Sequence, residues 1–271
     1  MTALPIRLLP ALLLASCGSE APREPDAAAA ERFAGAAGRP GCEPRRFEGT
    51  VFTVCRFDAR ADRIELVVDG PDGRPLRSLA ALEAALGPRT QDVRFAVNAG
   101  MYDEAGRPIG LYVENGVERR RINLKSGPGN FHLLPNGVFA VERDGAVSVT
   151  ESRRFARRRG EAPRLATQSG PMLVVGGRLH PRFDADGPSR LQRNGVGVRD
   201  PRTAYFAISE EPVSFGRFAR FFRDGLGCRD ALFLDGSVSS LWDPGAGRMD
   251  GYSALGPMLV VFRPPRSGDP G

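Results

Sequence analysis

The sequence predicts an α+β (mixed α/β) domain, with a mostly antiparallel or mixed sheet core and a few helices. Three observations carry that expectation. Short runs rich in Val, Ile, Phe and Tyr recur along most of the chain. Asn-Gly and Asp-Gly pairs fall between several of them, and these dipeptides accept the positive φ of tight hairpins. Only two segments carry helical spacing, and they stand outside any simple strand–helix alternation.

In chain order, residues 1–17 read as a lipoprotein signal peptide. Arg7 and the amino terminus supply a thin positive region, and Leu8 to Leu14 are apolar. Leu14-Ala15-Ser16-Cys17 then resembles a lipobox, with small residues before a cysteine that is acylated after cleavage. The apolar run is far shorter than the roughly 20 residues a membrane-spanning helix needs. The expectation is a lipid anchor at Cys17, placing the protein in a bacterial cell envelope on the periplasmic or outer-membrane side. The alternative is an ordinary signal peptide with an incidental cysteine. Residues 18–41 are rich in Ala, Pro, Gly, Glu and Arg without apolar periodicity, which reads as a disordered linker.

The domain is expected over 42–264, followed by a Pro- and Gly-rich tail at 265–271. Val51 to Phe57 and Ile64 to Val68 read as strands, and Leu79 to Leu86 has helical spacing. Arg94 to Val97 is a short strand ending in the turn formers Asn98-Ala99-Gly100. Ile109 to Val113, Val138 to Val141 and Ala146 to Val149 follow as strands, with hairpin chemistry at Asn115-Gly116, Asn136-Gly137 and Asp144-Gly145. Met172 to Val175 with Gly176-Gly177 is a further hairpin. Val196 to Val198 and Tyr205 to Ile208 continue the sheet. Ser214 caps a helix to Asp224 whose Phe215, Phe218, Ala219 and Phe222 share a core-packing face. Leu232 to Leu234 is a buried strand, and Met258 to Phe262 closes the domain.

Composition narrows the partners. The 271 residues are 41% hydrophobic and 26% charged, ordinary values for a globular protein. The net charge is +6, yet Lys125 is the only lysine and the arginines form no long run. The densest stretches are Arg119 to Arg121 and Arg153 to Arg159. Nucleic acid is therefore not an expected partner, whereas a mild preference for anionic substrates or surfaces is. Beyond Cys17, Cys42, Cys55 and Cys228 allow three single disulfides, and proximity in the chain favours Cys42 with Cys55. No cysteine or histidine spacing suggests zinc, so neither metal nor cofactor is expected.

Common hydrolase signatures are missing: no Gly-x-Ser-x-Gly, no His-Glu-x-x-His, no phosphate-binding loop of the Gly-Lys-Ser/Thr type. The two histidines, His132 and His180, lack triad context, and His132 alternates like a strand residue. Polar residues instead gather where strands end: Asn98, Ser169, Arg193, Asp235 and Ser239.

Five ordered blocks contain them: Asn98-Ala99-Gly100-Met101-Tyr102, Gly110-Leu111-Tyr112-Val113, Gln168-Ser169-Gly170-Pro171-Met172-Leu173, Arg193-Asn194-Gly195-Val196-Gly197 and Leu234-Asp235-Gly236-Ser237-Val238-Ser239-Ser240. Together they resemble the phosphodiester glycosidase family, and its bacterial branch in particular, over roughly Phe95 to Trp242. The resemblance implies hydrolysis of a sugar-1-phosphodiester at the glycosidic C1–O bond, in a glycan or cell-wall-type polymer. It assigns catalysis to Asp235, Arg193 and Asn98, and substrate binding to Gly100, Ser169, Gly170, Gly236 and Ser239, with Glu114 as a neighbouring candidate. In that scheme Asp235 is the carboxylate beside an oxocarbenium-like transition state, and Arg193 holds the phosphate. Asp103, Glu114, Glu210 and Glu211 are candidates for a second carboxylate. Asp235 and Asn98 together would suit a cation if the fold joined them. Two departures from the animal branch fall in the pocket wall: Met101-Tyr102 after the first glycine, and Ser237-Val238 where a glycine-rich stretch is usual. Two other readings compete: a phosphodiesterase cleaving P–O, and a glycan-binding lipoprotein without catalysis.

Overall fold

Every strand pairing in the computed structural model is antiparallel, among the described residues 41–264. The segment at Leu14 to Cys17, the linker up to residue 40 and the tail 265–271 lie outside that range. The described residues fall within one compact unit.

Three sheets make up the domain. The first has seven strands in the order β1 (Cys42–Phe47), β2 (Thr50–Asp58), β13 (Thr203–Ser209), β12 (Asn194–Asp200), β14 (Asp230–Phe233), β10 (Met172–Val175) and β11 (Arg178–Leu179). The second has five: β16 (Arg248–Met249), β15 (Leu241–Asp243), β4 (Val93–Asn98), β17 (Met258–Phe262) and β3 (Arg63–Val67). The third has five: β6 (Val117–Arg120), β5 (Tyr112–Glu114), β9 (Leu165–Ser169), β7 (Gly137–Val141) and β8 (Val147–Glu151).

The sheets meet around three phenylalanines, one from each. Phe206 of β13 lies 5.6 Å from Phe95 of β4 and 5.7 Å from Phe139 of β7, centroid to centroid. Tilted and edge-on aromatic contacts of this kind add to the stabilisation from apolar burial. Leu66, Val97, Tyr112, Val196, Leu232 and Leu259 surround the trio.

Helix α1 (Leu79–Leu86) buries Leu79, Leu82 and Leu86 against the second sheet, near Trp242 and Phe262. The Ser78 hydroxyl caps it by accepting from the Ala81 N–H at 3.0 Å. Helix α2 (Ser152–Ala156) is a single turn after β8. Helix α3 (Phe215–Arg220) begins with the Ser214 cap and passes into a wider π-turn over Phe221–Gly225. Its phenylalanines pack on the first sheet as predicted, with Phe221 stacked on Phe52 at 3.9 Å. Gly197 lies under them, where an added Cβ would stand 2.5 Å from the Phe222 ring.

Local expectations mostly hold. Asn115 and Gly116 both take positive φ, as do Gly176 and Gly177, and each pair turns a hairpin. Cys42 stands opposite Cys55 across β1 and β2 and is bonded to it, leaving Cys228 buried and free. Others need correction. Asn136-Gly137 is no hairpin: Asn136 is buried and donates to the Phe131 carbonyl at 2.8 Å, and Gly137 opens β7. His132 lies in a 3-10 turn over Asn130–His132, not in a strand. The first strand starts at Cys42, where the charged run Glu43-Pro44-Arg45-Arg46 hid it, because β1 is an exposed edge strand with little to bury.

Candidate active site

The carboxyl end of β14 leads into Leu234 and Asp235, and a 3-10 turn over Gly236–Val238 follows at once. Asp235 is held by its main chain before its side chain does anything. Its N–H donates to the Ala99 carbonyl at 3.3 Å, and its own carbonyl accepts from Asn98 Nδ2 at 2.8 Å. The Asn98–Ala99 segment at the end of β4 therefore grips it from both sides.

The Asn98 side chain accepts as well as donates. Its Oδ1 accepts from Asn194 Nδ2 at 2.8 Å and from the Ser240 N–H at 2.9 Å. Buried, and with its side-chain oxygen accepting two hydrogen bonds, it ties β4, β12 and the 234–240 segment into one junction. Its oxygen is committed to two donors, so the arrangement does not offer Asn98 and Asp235 as joint ligands to a cation. No cluster of three or more His, Cys, Asp or Glu able to hold a metal occurs among the described residues.

The Asp235 carboxyl is half-buried and accepts the Ser237 N–H at 3.2 Å. Burial raises its pKa above the ordinary aspartate range, and the Ser237 N–H opposes that only in part. No cation and no second carboxylate contributes. Asp235 does act on Tyr102, whose hydroxyl is raised first by burial and then by the Asp235 charge, against the Arg77 cation. Arg77 lies over the Tyr102 ring at 5.3 Å, and the Tyr102 hydroxyl donates to the Ala254 carbonyl.

Next to Asp235 in the chain, Gly236 to Ser240 line a cleft of 470 Å³, together with Arg190, Leu191 and Gln192. Tyr252 stands at its edge with 93% of its surface exposed. Gly236 fits because its missing Cβ would meet the Phe233 ring at 2.5 Å. Ser239 Oγ donates to the Gly236 carbonyl at 3.1 Å and keeps its lone pairs.

The fold thus joins Asn98, Asp235, Gly236 and Ser239. Gly100 backs the same junction, pressed against the Thr167 side chain and the Gln168 carbonyl so closely that a Cβ has no room. Gly170 is packed likewise against Asn136 and the Phe131 carbonyl. Ser169 is fully buried at the end of β9, its hydroxyl without a partner and away from the cleft wall.

Arg193 sits one layer behind. It is 0% exposed, with its guanidinium 3.6 Å from the centre of the Phe215 ring. Nε donates to the Val213 carbonyl at 2.9 Å, and Nη2 to the Ser189 carbonyl at 2.9 Å. Nη1 is buried without a partner. Burial alone pulls its pKa down to about 10, since no carboxylate faces it. Burial is the one cause of the shift at Arg193 and no charge from Asp235 contributes to it; the Phe233 ring lies 5.6 Å from the guanidinium and packs against Gly236.

Glu114 belongs to a different pocket, because β5 runs in the third sheet; it lies there with Asp69, Arg107 and Arg119. The other carboxylates are engaged elsewhere. Asp103 accepts the Arg107 N–H at 2.9 Å, Glu210 pairs with Arg248 at 2.6 Å, and Glu211 accepts the Val51 N–H at 3.2 Å. Tyr102, Asn194, Ser240 and Tyr252 went unassigned in the sequence although all but Tyr252 lie inside the ordered blocks. Only contact across strands separates them from their neighbours in the blocks.

Comparison with known proteins agrees with the blocks. The sequence model of the phosphodiester glycosidase family matches residues 91–251. An Escherichia coli K12 protein named YigE and described as uncharacterized is 36% identical over 186 residues, covering 69% of this chain and 72% of its own. Among solved structures, the zebrafish N-acetylglucosamine-1-phosphodiester alpha-N-acetylglucosaminidase catalytic domain, auto-inhibited by its pro-peptide, superposes with a TM-score of 0.55. It is 13% identical, with 82% of this chain and 81% of that one covered. A hypothetical protein from Synechocystis gives a TM-score of 0.51 at 15% identity, covering 82% and 61% respectively.

Proposed function

Because the chain belongs to the phosphodiester glycosidase family, we propose that it hydrolyses a sugar-1-phosphodiester at the C1–O bond, with Asp235 as the reacting carboxylate. One observation carries this reading: Asp235 is a main-chain-clamped, half-buried carboxyl with a raised pKa, in the residue that immediately precedes the Gly236–Ser240 wall of a cleft. Groups raised in this way at a cleft are candidates for acid–base and charge-stabilising roles.

A phosphomonoester leaves readily, so the need for a strong general acid is small. The ionised Asp235 stabilises the developing oxocarbenium ion and accepts the proton of the attacking water. The Ser237 and Ser239 hydroxyls face the sugar or its phosphate. Tyr252 and Leu191 offer apolar surface at the mouth. Arg193 acts through the Ser189 and Val213 carbonyls it holds, fixing the loops behind the cleft. An unpaired buried cation favours an anionic substrate nearby.

The test is turnover of synthetic glycosyl-1-phosphate methyl diesters in oxygen-18 water. The reading expects label in the released sugar. Label in the phosphate would favour the phosphodiesterase reading, and sugar binding without turnover of any diester the non-catalytic one.

The lipobox at Leu14 to Cys17 and the Cys42–Cys55 disulfide support tethering to a bacterial cell envelope by an acylated Cys17. Incorporation of radiolabelled palmitate into the protein, lost in Cys17→Ala, tests this.

A further inference from the structure

Among the residues that line the cleft beside the 236–240 segment, Arg190 is the one with a charged side chain. The rest are neutral, and Ser237, Ser239, Ser240 and Ser253 supply hydroxyls. Arg190 is exposed, and among the described residues its guanidinium makes no ion pair, hydrogen bond or ring contact. Glu210 and Glu211, which lead into the lining residue Pro212, are engaged by Arg248 and by the Val51 N–H. Neither carboxylate competes for the Arg190 cation.

The backbone that carries Arg190 is fixed on both sides. Before it, the Ser189 carbonyl and hydroxyl accept from Arg193 Nη2 at 2.9 and 3.2 Å. After it, Leu191 and Val213 exchange main-chain hydrogen bonds at 3.3 and 2.9 Å, and Gln192 Nε2 donates to the Glu210 carbonyl at 3.0 Å. The Val213 carbonyl also accepts from Arg193 Nε at 2.9 Å, so one buried guanidinium holds both flanks of the segment. A ligand that meets Arg190 therefore has a side chain to order but no backbone, which keeps the entropic cost of binding low. The buried arginine of the motif braces the segment, and the exposed arginine before it is left free for a ligand.

A phosphodiester carries one negative charge on two unbridged oxygens, and the planar guanidinium fork matches both. One cation beside a neutral, hydroxyl-bearing wall suits a ligand in which such a charge is joined to a polyhydroxylated ring. We propose that Arg190 is the residue that recognises the phosphodiester of the substrate, pairing with its unbridged oxygens while the serine wall takes the sugar. The assignment rests on the proposed activity only in taking the ligand of the cleft to be a sugar-1-phosphodiester.

Methyl diesters of the 1-phosphates of N-acetylglucosamine, glucose, galactose and mannose are titrated calorimetrically against Asp235→Asn protein, in which turnover is suppressed. The uncharged methyl glycosides of the same sugars serve as controls. At least one diester should bind, and adding Arg190→Gln should weaken it by about tenfold or more, as for a lost charged hydrogen bond. The matching glycoside should be unaffected by the substitution, and the diester should lose its sensitivity to ionic strength. Arg190→Gln alone should melt like wild type, because the side chain is exposed and unpaired. Failure of all four diesters to bind overturns the proposal, as does unchanged diester affinity in the double variant. Equal weakening of diester and glycoside marks a distorted cleft and also overturns it. The proposed activity fails by a different result: no turnover by wild type, or label in the phosphate, with the Arg190 dependence of binding intact.

Discussion

Asn98 Nδ2 donates to the main-chain carbonyl of Asp235 at 2.8 Å, so the asparagine positions the backbone of the aspartate and leaves its carboxyl free. The same side chain receives Asn194 and Ser240. Asn98→Ala strands three partners in a buried junction. Each unsatisfied group costs about 1–3 kcal/mol, so chemical denaturation should show a loss of at least 2 kcal/mol. Turnover should fall with the misplaced Asp235, and Asn98→Asp should not rescue it, because an acceptor would then oppose the Asp235 carbonyl.

Asp235→Asn should lower kcat by about 10²–10⁴-fold, the range for a lost acid–base group, and raise thermal stability at neutral pH. The sign follows from the raised pKa. The folded state holds the proton more tightly than the unfolded chain, so the ionised carboxyl destabilises the fold above the folded pKa. That penalty disappears as pH falls below the unfolded value, about 3.9. Melting curves of the two proteins should converge in acid and separate towards neutrality.

The pH–rate profile should carry the same signature. Activity that needs ionised Asp235 rises with pH through an inflection displaced above the ordinary aspartate value. An inflection at or below about 3.9 contradicts the role given to this residue.

Tyr252→Ala should raise KM several-fold with little change in kcat. The ring is exposed at the mouth of the cleft and supports no core packing, so melting should not change. A contact worth about 1 kcal/mol corresponds to roughly fivefold in affinity. A proportional fall in kcat would place Tyr252 nearer the reacting atoms.

Cys42→Ser combined with Cys55→Ser should cost about 3 kcal/mol, the value for closing a loop of about 15 residues. The two cysteines are separated by 13 positions and join the edge strand β1 to β2. Denaturation of wild type with and without reductant should reproduce the difference.

Much of the fold was legible in the residues, because a buried strand must be apolar and a tight hairpin must tolerate positive φ. Arg94 to Val97, Leu232 to Leu234 and Met258 to Phe262 announced themselves in this way, as did the turns at Asn115-Gly116 and Gly176-Gly177. Strands with little to bury did not. Cys42–Phe47 and Val117–Arg120 are exposed and charged, and only pairing with a neighbour makes them strands. Leu165–Ser169 is buried throughout, yet its Thr-Gln-Ser ending disguised it; those polar groups are tolerated because Gln168 is bonded to Leu111, Asn123 and Ser152.

The sequence by itself determined an α+β class with a mostly antiparallel or mixed sheet, favoured Cys42 with Cys55, and carried the family resemblance and the importance of the segment around Asp235. These are local matters of turn chemistry, periodicity and ordered motifs. Tertiary structure decided what each motif residue does. It made Asn98 a backbone clamp and set Arg193 behind Phe215 and Phe233. It also sent Glu114 to another pocket, set Tyr102 near Asp235 and placed Tyr252 at the edge of the cleft. Residues at adjacent places in a motif diverge in role because a hydrogen bond or a ring in between, which no linear spacing encodes, determines which atoms remain free for a ligand.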